Sequence, residues 1–237
     1  IDTSRLGFEF LDLPPIDNGL SIASHNTRSA DERWEMPWGE QREVRNHYNE
    51  LSVSLEEEEA PNRQFKLVFR LYDDGLGFRY EFPEQDSMNE VLITEEHTEF
   101  QLTGDHTCWW IPGDWDIYEH LYNTTKVSEI DALSKRDHPN LAQTTIPNNA
   151  VNTPVTMRTA EGLHLAFHEA NLTDYAGMTL GADTESLQLQ SILVGSGRQN
   201  YKVKKQTPFH TPWRTIQVSE AATGLVESKL ILNLNEP

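Results

Sequence analysis

The chain has 237 residues, a single cysteine, and 38 acidic side chains against 19 basic ones, a formal net charge of −19 at pH 7. A field of that sign repels phosphate backbones and excludes nucleic acid as a partner, and no apolar run approaches the ~20 residues of a membrane-spanning helix. Cys108 alone can form neither an intrachain disulfide nor a thiolate metal cluster, and 37% hydrophobic residues suffice for one packed domain over 1–237.

The chain opens at Ile1 with no initiator Met, and residues 6–10 are too short and too acidic for a signal peptide, so the sequence is expected to be a cut piece. Alternation of period two begins at Leu51, Val53 and Leu55. The run Glu56-Glu57-Glu58-Glu59 that follows, before Ala60-Pro61-Asn62, reads as a solvated loop. The clearest element is a hairpin: Phe65, Leu67, Phe69 and Leu71 share one face, Asp73-Asp74-Gly75 turns the chain, and Phe78, Tyr80 and Phe82 return before Pro83 ends the pairing. A helix is expected over 125–136, and the polar stretch 127–152, with Pro139 and Pro147, reads as a long surface excursion. Alternation resumes at Leu163, Leu165 and Phe167, at Leu187 and Leu189, and over 213–218; a short turn is placed at 225–229. These patterns predict an all-β, mostly antiparallel fold with little helix, and disfavour a Rossmann fold or a complete (β/α)8 barrel. The expected core includes Phe69, Leu71, Phe78, Tyr80, Leu165, Phe167 and Leu232.

The chain has no Gly-rich phosphate loop after a strand, no G-x-S-x-G elbow and no H-E-x-x-H helix, so phosphoryl transfer and triad hydrolysis drop out. A glycosidase needs only two carboxylates, but 38 acidic residues offer too many pairs, and no catalytic residue is assigned. One carboxylate stands apart. In Gly162-Leu163-His164-Leu165-Ala166-Phe167-His168-Glu169-Ala170, strict alternation gives Glu169 the parity of Leu163, Leu165 and Phe167. If the strand runs that far, Glu169 points to the core and must find hydrogen bonds, a cation or a metal; if it ends or bulges at Phe167, Glu169 is an exposed side chain. His164 and His168 share a face at a spacing that is a weak metal signal, and satisfied or exposed histidines are the simpler reading. The tryptophans Trp34, Trp38, Trp109, Trp110, Trp115 and Trp213 suit either sugar stacking or core packing, and Arg214 suits a structural ion pair.

Several separated stretches, in order, resemble the N-terminal domain of glycoside hydrolase family 97. They are Trp38-Gly39-Glu40, Phe69-Arg70-Leu71-Tyr72-Asp73-Asp74-Gly75-Leu76-Gly77-Phe78-Arg79-Tyr80, Glu169-Ala170-Asn171-Leu172-Thr173-Asp174-Tyr175-Ala176-Gly177-Met178, Thr211-Pro212-Trp213-Arg214 and Asn233-Leu234-Asn235-Glu236-Pro237. The resemblance implies a galactose mutarotase-like β super-sandwich that precedes a catalytic (β/α)8 barrel, with Pro237 at the linker to that barrel. The complete enzyme would be an exo-acting α-glucosidase or α-galactosidase taking α-linked oligosaccharides, dependent on calcium and located outside the cytoplasm, in a bacterial periplasm. The catalytic carboxylates would belong to the barrel, leaving this chain inactive by itself. Glu169 falls where the family has a calcium ligand. Trp38, Glu40, Trp213 and Arg214, within the matching motifs, are candidates to face the barrel or the sugar. The rival reading is a stand-alone carbohydrate-binding module or a mutarotase-like sugar epimerase.

Overall fold

The computed structural model describes residues 1–137, 139–141 and 143–235. A ten-stranded antiparallel sheet forms one layer. Its strands run, in spatial order, Leu20–Glu35, Glu43–Glu57, Gln64–Tyr72, Gly75–Phe82, Trp213–Ser219, His164–Ala170, Val155–Arg158, Thr107–Trp110 and Asn123–Lys126, with Phe209–His210 pairing briefly to Gly75–Phe82. Two smaller antiparallel sheets make up the other layer. One joins Phe8–Phe10, Glu90–Glu96 and Val203–Gln206; the other joins Ala150–Asn152, Met178–Asp183, Gln188–Leu193 and Glu99–Gln101. Among the described residues no helix exceeds the six residues of Ala222–Glu227, and none is long and apolar enough to cross a membrane.

Side chains from all three sheets interdigitate between the layers. Phe8 of a small sheet stands edge-on to Tyr80 and Phe82 of the large one at ring separations of 4.7 and 5.2 Å, and Phe100 meets Phe167 at 5.2 Å. The hairpin forms around Asp73 and Asp74, with Tyr72 opposite Gly75, and puts Phe78, Tyr80 and Phe82 into this core as their alternation requires.

A second apolar cluster lies on the opposite face of the large sheet, where the helix Leu230–Leu234 covers Tyr48, Val68, Tyr72, Ala170 and Trp213. Gly77 makes this docking possible, because a Cβ there would collide with a Leu234 methyl group. The strand Gln64–Tyr72 therefore buries residues of both parities: Phe65 and Leu67 on the inner face, Val68 and Tyr72 on the outer. This corrects the expected core. Leu71 is 57% exposed, and Phe69, Leu165 and Leu232 are half-buried. The inner-face neighbours Leu51 and Leu71 are both exposed, so no layer covers the sheet at this place.

Three local expectations also change. The 125–136 helix is replaced by the end of Asn123–Lys126, a 3-10 turn at Val127–Glu129 and one α-helical turn at Ala132–Lys135, separated by an extended Ile130. Asp105 takes up the Ser128 N–H and hydroxyl, and Asp131 caps Ser134, so each turn has its own acidic anchor. The stretch 127–152 is a surface excursion only in part: Leu133, Ser134, Lys135, Pro147 and Asn148 are exposed, but Val127, Ile130, Ala132 and Ile146 are buried, and it ends in the strand Ala150–Asn152. The acidic run is not all loop either. Glu56 and Glu57 finish a strand, and Glu57 accepts from Nε of the buried Arg63 at 2.7 Å while that guanidinium also donates to the carbonyls of Pro14 and Pro15.

The last described residues are tied down at two places. Asn233 accepts from the Trp34 indole N–H and donates to the Arg45 carbonyl, both at 2.9 Å, and Asn235 Oδ1 accepts from the Asn171 backbone N–H at 2.8 Å. Glu236 and Pro237, which complete the closing motif, lie outside the described residues.

Candidate functional site

The strand His164–Ala170 keeps regular register with Trp213–Ser219 to its last residue, with Glu169 opposite Arg214 and Ala170 opposite Trp213. Of the two readings of Glu169, the strand therefore takes the longer one. Its carboxylate points between the layers with Phe167 and is 8% exposed. Beyond Ala170 the chain leaves the sheet through Asn171, at φ +55°, loops over 171–177 and returns at Met178, whose N–H donates to Glu169 Oε1 at 3.0 Å. Glu169 thus closes the neck of the loop that follows it.

Arg214 fills the space beneath. It donates through Nη1 to Glu169 Oε2 at 2.6 Å, and through Nε and Nη2 to both oxygens of Glu96 at 2.7 Å. Thr98 and Tyr175 complete the shell of Glu96, donating at 2.7 and 3.2 Å, and the Tyr80 hydroxyl lies 2.8 Å from that of Thr98. Arg214 and Glu96 are fully buried. Two carboxylates share one guanidinium, so the ionised cluster carries one uncompensated negative charge. Burial is the main force on Glu169 and pushes its pKa up; Arg214 and the Met178 N–H pull it down, and Glu96 pushes it up again. Burial works against the charge of Arg214, but Glu96 and Glu169 outweigh it and raise its pKa. The Tyr175 phenol is pushed well above its ordinary range by burial and by Glu96. The cluster can hold two anions side by side and presents the surplus charge at its least buried member, Glu169.

The other singled-out residues divide sharply. Trp213 and Arg214, candidates to face the barrel or the sugar, do not face outward within this chain. Trp213 is buried beneath the terminal helix, with the guanidinium carbons of Arg70 and Arg79 4.8 and 4.6 Å from its ring centroid, and Arg214 is the hub just described. Adjacent residues of a strand point to opposite faces, and both faces are covered at this place. Trp38 and Glu40 are exposed, in the turn between Leu20–Glu35 and Glu43–Glu57. His164 and His168 lie half-buried opposite Ser219 and Thr215, and burial lowers the pKa of His168. No group of three or more metal-ligating side chains converges among the described residues. Of the remaining tryptophans, Trp110 is core and Trp34 holds Asn233, while Trp115 is 41% exposed in a loop.

Sequence reasoning missed Glu96. Period two in the strand Glu90–Glu96 gives Glu95 the parity of the buried Val91 and Ile93, but the pairing with Phe8–Phe10 slips by one residue between Glu9 and Phe10. That bulge turns Glu96 inward and Glu95 outward. A second missed hub is Asp114, which accepts from the N–H groups of Asp116, Ile117 and Thr144 at 2.9–3.2 Å and lies 3.1 Å from His120 Nε2. Burial pushes its pKa up, the donors outweigh it, and the net shift is downward.

Layering and cluster together define a large antiparallel β-sandwich domain with a buried ion cluster at the neck of a loop. The glycosyl-hydrolase 97 N-terminal family model matches residues 1–237, and the chain belongs to that family. In sequence it is 21% identical over 257 aligned positions to the retaining alpha-galactosidase of Bacteroides thetaiotaomicron, a match spanning 94% of this chain and 35% of that protein. In structure it is similar to a glycoside hydrolase family 97 enzyme of Pseudoalteromonas sp. strain K8, solved in complex with acarbose, at a TM-score of 0.86 and 38% identity over all of this chain and 33% of that one. A beta-arabinopyranosidase shares the fold, with a TM-score of 0.83 at 20% identity over 37% of its length. The chain thus spans about a third of the proteins it matches.

Proposed function

We propose that this chain is the non-catalytic N-terminal domain of a calcium-dependent, exo-acting α-glycoside hydrolase. It braces a catalytic (β/α)8 barrel and contributes Glu169 to the shell of the ion. The substrates are α-linked glucoside or galactoside oligosaccharides, and the site of action is outside the cytoplasm, in a bacterial periplasm. The observation that carries the reading is the surplus negative charge of the Glu96–Arg214–Glu169 cluster, placed at the one member with access to solvent.

The donor fits. Glu169 offers hard carboxylate oxygens with spare lone pairs, and Arg214 neutralises only part of the local charge. A calcium ion takes about six to eight oxygens, so its other protein ligands come from outside these residues. Held in part by Glu169, such an ion would supply positive charge and orient sugar hydroxyls. This chain's part is to hold the Glu169 carboxylate rigid, through the Met178 N–H on one oxygen and Arg214 on the other.

Calcium titration of a protein that joins this domain to its barrel, and of its Glu169→Gln variant, is the test. Gln keeps the shape and one acceptor oxygen but loses the charge, so weaker calcium binding and slower hydrolysis are expected with the domain still folded. Equal affinity and equal turnover in both would overturn the assignment. The 237-residue chain alone is expected to leave aryl α-glucosides and α-galactosides unhydrolysed.

A further inference from the structure

A cleft of about 410 Å³ opens between the 194–202 segment and the 146–148 turn, within the ~300–1,000 Å³ range of small-molecule sites. Among its lining residues are Trp115, Asn148, Gln199, Asn200 and the ion pair of Glu95 with Lys202. Its lining shares no side chain with the Glu169 cluster: the bulge in Glu90–Glu96 sends Glu95 toward the cleft and Glu96 into the core.

The platform is rigid. The Trp115 N–H donates to the Thr144 carbonyl at 3.0 Å, and Asp114 just before it forms a β-bridge with Thr145 while its buried carboxylate gathers three backbone N–H groups. On the opposite wall Gly195 lets the loop close on the return strand, because a Cβ there would press on the Lys202 side chain. An aromatic residue left 41% exposed on so fixed a backbone incurs little ordering cost on binding.

The lining chemistry selects the ligand. Side-chain amides each carry donors and an acceptor, as a hydroxyl does, and an aromatic face takes the apolar C–H face of a pyranose ring. Among the described lining residues the charged side chains are Glu95 and Lys202, which cancel each other, and the chain's net charge of −19 opposes anions. We propose that this cleft is a binding site for neutral saccharides, distinct from the Glu169 cluster and independent of the calcium reading.

The test is an NMR titration of the 237-residue chain with maltotriose, with digalacturonate as the anionic comparison. Maltotriose is expected to bind with a Kd of about 1–10 mM and to shift the Trp115 indole and the Asn148 and Asn200 amide signals. Trp115→Ala is expected to weaken binding about tenfold with the fold intact by circular dichroism. Trp115→Phe should recover part of the loss. Saturable shifts confined to another surface, tighter binding of digalacturonate, an unchanged Kd in Trp115→Ala, or no saturable response by about 50 mM maltotriose would each overturn the proposal.

Discussion

Arg214→Met removes the guanidinium while keeping most of the side-chain volume, and so isolates the charge at the centre of the sandwich. Three charge-assisted hydrogen bonds disappear, two to Glu96 and one to Glu169, all at 2.6–2.7 Å. At about 1.5–3 kcal/mol each the bonds sum to more than the protein loses, because stranded carboxylates can take up protons. Breaking a buried ion pair from one side costs about 3–5 kcal/mol, and that figure is the expectation at pH 7. A domain of this length shifts its midpoint by about 2–4 °C per kcal/mol, so calorimetry should find Tm lower by about 6–20 °C. The deficit should shrink as pH falls, because the Glu169 carboxyl, whose pKa burial already raises, takes up a proton. A midpoint within about 2 °C of the wild type at pH 7 would refute the reasoning, since it would mean that Glu96 and Glu169 do not depend on this guanidinium.

The two carboxylates should behave oppositely. Glu96→Gln is expected to destabilise by about 3 kcal/mol, whereas Glu169→Gln in calcium-free buffer should be no less stable than the wild type at pH 7. Glu169 has a raised folded-state pKa, so its contribution to stability is full below the unfolded value near 4.5 and lost as pH rises through the folded value; the Gln variant should gain relative stability over that rise in melting curves. Asp114 has a lowered pKa and the reverse sign: its contribution is present above about pH 4 and lost as pH falls through the folded value. Asp114→Ala should cost about 3 kcal/mol at pH 7 and less at pH 3, and an equal cost at both would count against a charged hub. Asn235→Ala should speed amide exchange at Asn171 about tenfold, worth about 1.4 kcal/mol, and Asn235→Asp, which keeps the acceptor, should restore protection.

Much of the fold was legible because one physical signal dominates it. A two-sided hairpin turning at Asp73-Asp74 and an inward row of Phe78, Tyr80 and Phe82 follow from alternation and turn chemistry alone. Alternation assumes one buried face per strand, and it fails where the sheet is covered on both faces or on neither. Tyr72 and Trp213 are buried by a five-residue helix from the far end of the chain, a partner no local pattern announces. Leu71 is apolar and correctly phased, yet no layer covers the sheet there.

The same limit explains the site. Glu169 could be found because its strand is regular; Glu96 could not, because a single bulge reverses its phase and nothing in Glu95-Glu96 says which glutamate turns in. The cluster is thus assembled from strands 45 and 118 residues apart from Arg214 in sequence, and only the folded sheets bring its charges into contact. Asn235 adds a further link, since its acceptor oxygen holds the first residue past Ala170 and so joins the end of the described chain to the loop whose neck Glu169 closes. Asn235, the last described residue, is thereby held in place relative to that carboxylate. The calcium reading proposed for Glu169 requires this coupling, because an ångström of slack at Asn235 would loosen the loop whose neck that carboxylate closes.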